Sequence, residues 1–105
     1  MADVKLIEAD FVAEGSAERV DVEGFPPLAV VKVNGEFFVC DDTCSHGQAS
    51  LSDGYVDGEA LECPWHNGQF CLRTGAALSA PAVDPIKVYP ATVKDGFVCI
   101  AAAGS

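Results

Sequence analysis

Two cysteines and two histidines recur in this chain as mixed pairs. Cys44 and His46 have one residue between them, Cys63 and His66 have two, and sixteen residues separate the pairs, so the pattern is CxHx16CxxH. Thiolates and imidazoles in that number suit a zinc ion, or an iron-sulfur cluster in which His replaces Cys on one iron. Zinc sites of this composition usually bring two Cys together and then two His. Here each pair contains one of each kind. In a two-iron rhomb the irons lie side by side, so two similar loops approaching from opposite sides can each give a Cys to one iron and a His to the other. A single tetrahedral ion offers no reason for that symmetry, although zinc stays an alternative at this point.

Such loops need a rigid carrier. Short alternating or β-branched runs, punctuated by Gly, Pro, Asn and Asp, occur at 18–22, 28–33, 36–40, 60–63, 69–72, 86–89 and 97–101. That is a strand pattern, and the fold class it predicts is all-β. Asn34-Gly35 between LAVVKV and EFFVC supplies the positive φ angles of a two-residue hairpin turn. Lys94-Asp95-Gly96 makes a similar turn ahead of 97–101, and a short helix is predicted near 8–13. Residues 33–72 hold seven acidic side chains (Glu36, Asp41, Asp42, Asp53, Asp57, Glu59, Glu62), both His and no Lys or Arg. This middle stretch reads as a loop-rich insertion on a β scaffold.

Composition narrows the partners. A chain of 105 residues, half of them apolar, can bury a core as one globular domain. No run of about eighteen apolar residues occurs, and the opening MADVKLIEAD has neither a basic leader nor a short apolar segment, so the expectation is a soluble, cytoplasmic protein off the membrane. An odd count of five Cys argues for metal over disulfides. Sixteen acidic against six basic residues give a net charge of -10, the wrong sign for nucleic acid and the right one for a partner with a basic docking face. Cys40, Cys71 and Cys99 fall in or beside apolar runs and read as core thiols. Arg73, the first basic residue after the acidic stretch, balances charge.

The segments CSH and CPWHNG resemble the two cluster-binding loops of Rieske iron-sulfur proteins, down to Pro64 after the second Cys and Gly68 after the second His. The resemblance extends in pattern over most of the chain. It implies one [2Fe-2S] cluster, with Cys44 and Cys63 on the buried iron and His46 and His66 on the outer one. It also implies an antiparallel β-sandwich or barrel-like base, residues 1–40 and 83–105, into which a cluster-binding subdomain at about 41–82 is inserted, all within a single Rieske domain over 1–105. Gly47 and Gly68 let backbone N–H groups approach the sulfurs. The resemblance implies that Trp65 packs over the cluster, with an apolar docking contact as the alternative, and that Phe70 lies in the cluster's surroundings; Pro81, in LSAPAVDP, resembles the proline of a covering loop.

Departures from the family pattern choose the branch. Relatives in cytochrome complexes carry a disulfide between the loops where this chain has Ala49 and Trp65. They also carry Ser and Tyr hydroxyls, donors that raise the potential, where this chain has Gly68 and Phe70. The resemblance is therefore to the small, low-potential ferredoxins of bacterial aromatic-ring-hydroxylating dioxygenase systems. It implies an electron carrier that is not itself an enzyme, a monomer, fed by a flavoprotein ferredoxin reductase and delivering to a terminal Rieske oxygenase. The alternatives are the small Rieske subunit of an assimilatory nitrite reductase and a zinc-binding interaction module.

Overall fold

The computed structural model describes residues 3–43, 50–64, 68–78 and 85–101. Among them run β1 (Asp3–Glu8), β2 (Ala17–Val20), β3 (Leu28–Val33), β4 (Glu36–Asp41), β5 (Tyr55–Asp57), β6 (Ala60–Glu62), β7 (Gln69–Cys71), β8 (Val88–Tyr89), β9 (Thr92–Lys94) and β10 (Phe97–Ala101). They form three antiparallel sheets, ordered β1-β10-β9, β2-β3-β4-β8 and β5-β6-β7. The all-β expectation holds.

The hairpin β3-β4 is the spine of the molecule, and its sequence shows why. A strand covered on both faces carries apolar residues at nearly every position, and β3 reads LAVVKV. Ala29, Val31 and Val33 face one apolar cluster with Phe38 and Cys40 of β4. Leu28 and Val30 face the other, with Val39 of β4 and Val98 and Ile100 of β10. The first cluster takes in Leu51, Leu61, Cys63, Phe70 and Leu72, so the third sheet rests on the spine through a shared core. Asn34 (φ 53°) and Gly35 (φ 77°) make the expected hairpin turn. Their backbone N–H groups donate to the Glu14 carboxylate, which fixes the turn against the preceding loop.

Three readings change. The stretch predicted as helix near 8–13 is the end of β1 followed by a single 3₁₀ turn at Ala9–Phe11, because pairing with β10 claims the chain as far as Glu8 and Val12 is already extended. The run predicted at 86–89 pairs only at Val88–Tyr89, because the Ile86 N–H donates to the Gly75 carbonyl instead of joining β4. The short β5, with only Val56 partly buried against the core, was missed by pattern.

Candidate metal centre

Two closed loop bases flank the sequence pairs along the chain. The first loop leaves β4, and Thr43 and Ser50 form an antiparallel bridge across its base, with residues 44–49 between them. Asp42, buried within the core, secures that base. Its carboxylate accepts from the Ser50 hydroxyl and from the Ser52 N–H at 2.8 Å, and its own backbone carbonyl accepts from the Leu51 N–H at 2.6 Å. The second loop leaves β6. Glu62 pairs with Gln69, and beyond them the Cys63 N–H donates to the Gly68 carbonyl at 2.8 Å, with residues 64–67 between.

Cys63 is fully buried, and Gly68 and Phe70 are buried with it. Phe70 faces Leu61 across the β6-β7 pair, in the same apolar cluster as Cys63 and Leu51, so both loop bases are rooted in one core. Gly54 ties them more closely: a Cβ there would stand 1.8 Å from the Glu62 carbonyl oxygen and 3.1 Å from Pro64. A third segment arrives alongside, because the Leu78 N–H donates to the Gln69 carbonyl at 2.7 Å just before residues 79–84. Of the residues singled out from sequence, Cys44, His46, Gly47, Ala49, Trp65, His66 and Pro81 lie outside the described residues.

Sequence reasoning missed two supporting groups. Asp42 carries no local signal, since its partners lie eight and ten residues away on the returning chain. Arg73 does more than balance charge. Its guanidinium takes Glu59 through Nε and Nη2, both at 2.7 Å, reaches Glu36 at 2.9 and 3.2 Å, and lies 5.2 Å from the Phe38 ring centre. It clamps the turn between β5 and β6 to the start of β4, and it holds the Glu59 carboxyl below the usual carboxylate range.

The remaining thiols divide. Cys40 and Cys99 are core residues as expected, and burial, with Asp42 and Asp41 nearby, pushes the Cys40 thiol up to about 12. Cys71 departs from expectation. It is only half-buried at the end of β7, and bonds from the Thr74 side chain and backbone lower its pKa.

A model of the Rieske [2Fe-2S] domain matches residues 2–90 of the chain. The chain belongs to the Rieske [2Fe-2S] domain family. This Rieske domain is 46% identical over 101 residues to the 3-phenylpropionate/cinnamic acid dioxygenase ferredoxin subunit of Photorhabdus laumondii, covering 95% of this chain and 94% of that protein. Among solved structures it resembles the Sphingomonas yanoikuyae B1 ferredoxin with a TM-score of 0.93 at 46% identity, over 96% of this chain and 99% of that one. It also resembles a chain of the complex of reduced oxygenase and oxidized ferredoxin in carbazole 1,9a-dioxygenase, with a TM-score of 0.87 at 41% identity, over 94% of this chain and 92% of that one.

The residues present fit a cluster of the family's kind. The donor set read from the sequence is two thiols and two imidazoles, and the described donor, Cys63, is buried in an apolar floor at the base of a tightly closed loop. No helix among the described residues is long and apolar enough to cross a membrane. Asp42→Ala is expected to cost about 2–4 kcal/mol in chemical denaturation, because it strands the Ser50 hydroxyl and the Ser52 N–H in partly buried surroundings. A change below about 0.5 kcal/mol would show that the loop base is held by the strand bridge alone.

Proposed function

We propose that this Rieske domain is the ferredoxin component of an aromatic-ring-hydroxylating dioxygenase system, a carrier of single electrons and not itself a catalyst. The observation that carries the reading is 46% identity over 95% of the chain to a dioxygenase ferredoxin subunit, in a sequence that keeps both Cys and both His. Cys44 and Cys63 hold the inner iron and His46 and His66 the outer one, within a subdomain at about 41–82 set into the basal sheets. When bound, the [2Fe-2S] cluster supplies a one-electron redox couple.

The chain's own residues tune and deliver that couple. Gly68 and Phe70 place no hydroxyl near the cluster, and the acidic stretch from Glu36 to Glu62 disfavours added negative charge. Asp42 and Arg73 keep the two loop bases and the third sheet in a fixed relation to the spine, which limits reorganisation between oxidation states. The donor is a flavoprotein ferredoxin reductase and the acceptor a terminal Rieske oxygenase, with the carrier working as a cytoplasmic monomer.

The purified protein is expected to be red-brown, to give the anisotropic low-g EPR signal of a reduced Rieske centre, and to show a midpoint near -150 mV, the low end of the Rieske range. One zinc per chain without sulfide would overturn the reading, and a midpoint well above zero would overturn its low-potential part. Electron delivery to an oxygenase is expected to fall roughly tenfold as salt rises from about 0.01 M to about 0.5 M, because exposed acidic side chains steer the encounter only within a Debye length. A rate indifferent to salt would remove acidic steering.

A further inference from the structure

The outer face of the sheet β5-β6-β7 carries a row of side chains set by strand register. Tyr55 pairs with Glu62, and Glu62 pairs with Gln69. Gln69 in turn accepts at its carbonyl from the Leu78 N–H, while its side-chain amide donates to the Glu62 carboxylate at 3.2 Å. Pleating sends Leu61, Cys63, Phe70 and Ala77 to the core side, so Tyr55, Glu62, Gln69 and Leu78 share the other side. Three strands and the segment bridged to β7 at Ala77, at about 4.8 Å spacing, make the row roughly 14 Å long.

Three properties distinguish this row. Its two ends are large apolar side chains left in water, Tyr55 64% and Leu78 55% exposed. Its centre and margins are acidic or polar, with Asp57 on the same face of β5 and Asp53 just ahead of it. No Lys or Arg lies between 33 and 72, and the next one, Arg73, is taken up by Glu36 and Glu59. The row is also continuous with the metal centre, since Glu62 directly precedes Cys63 and Gln69 directly follows Gly68.

We propose that this face, Tyr55–Glu62–Gln69–Leu78, is the docking surface for the terminal oxygenase, which meets it with an apolar patch ringed by basic side chains. The inference rests on the dioxygenase reading above and adds the surface to it. The apolar ends desolvate the contact, the acidic margin steers and orients it, and the small area suits an encounter that must dissolve after each electron. A relative 41% identical to this chain is known in a complex with its oxygenase, which makes an oxygenase the occupant to test.

Cys71 offers a probe of the same face, lying two residues beyond Gln69 on the same side of β7. Its lowered pKa favours alkylation, whereas Cys40 and Cys99 are buried. Iodoacetamide labelling of the iron-loaded protein, read by mass spectrometry, is expected to slow at least fivefold at Cys71 when the oxygenase saturates it. The Tyr55→Ser, Leu78→Ser double variant is expected to raise the KM for oxygenase reduction at least fivefold while kcat, midpoint potential and EPR signal stay unchanged. Unchanged labelling and unchanged KM, with a wild type that does reduce the oxygenase, overturn the inference and leave the ferredoxin reading intact. Protection of Cys71 by the reductase and not by the oxygenase also overturns it. A wild type that reduces no dioxygenase overturns the reading and the inference together.

Discussion

Cys63→Ala is expected to yield a colourless protein with iron and sulfide near zero and electron transfer at background, whereas Cys40→Ala is expected to keep its cluster and its activity. The comparison is informative because the two thiols share an environment. Both are fully buried, and both belong to the apolar cluster between the spine and the third sheet. Loss of one sulfur from that cluster costs about 1 kcal/mol by packing alone, so the packing penalty is common to the two variants. What differs is the backbone each stands on. Cys40 lies within β4, paired with Ala29 on one side and Val88 on the other, and its thiol is held protonated by burial. A protonated thiol is a poor metal ligand. Cys63 lies one residue past the end of β6, where the ladder gives way to a closed loop. Because bound metal contributes to folding, the Cys63 variant should also lose more thermal stability than the Cys40 variant. Iron analysis, visible absorbance and EPR on the two proteins check this, and a Cys63→Ala protein that retains a Rieske signal would remove Cys63 from the ligand set.

The parts of the fold that were legible in sequence are those whose cause is local. LAVVKV followed by Asn-Gly and EFFVC defines a hairpin without help from the rest of the chain, since a two-residue turn with positive φ leaves one register available. The turn at Asp95-Gly96 is legible for the same reason. Two of the misread elements depend on partners distant in sequence. β1 reaches Glu8 because β10, more than eighty residues later, offers it an edge. β8 is cut to two residues because Gly75 takes the Ile86 N–H. Metal chemistry constrains residue types and spacing directly, so a candidate ligand set was legible as a pattern. Its support was not: Asp42 with Ser50 and Ser52, and Arg73 with Glu36 and Glu59, are juxtapositions across eight to thirty-seven positions that no periodicity marks.

Gly75→Ala is expected to destabilise the protein by about 2–5 kcal/mol, a large part of the roughly 5–15 kcal/mol that holds a domain of this size together. Two costs combine. Gly75 has φ +81°, and the left-handed region costs an L side chain about 1–2 kcal/mol. A Cβ there would also stand 2.0 Å from the Ile86 carbonyl oxygen and 3.3 Å from Val88 Cγ1, and overpacking of that kind adds about 1–3 kcal/mol. The obstructing atom is backbone, so it cannot swing aside. Moving it strains the 2.9 Å bond from the Ile86 N–H to the Gly75 carbonyl, which joins the turn after β7 to the approach to β8. That bond closes the base of the segment 76–85, which contains Pro81. At about 4–8 °C per kcal/mol, the melting temperature should fall by roughly 10 °C or more. Gly15→Ala separates the two costs. Gly15 has nearly the same φ, +77°, but nothing lies within 4 Å of the added Cβ, so only the conformational cost of about 1–2 kcal/mol applies. Equal melting temperatures for the two variants would show that the close approach of Gly75 to Ile86 contributes nothing beyond backbone conformation.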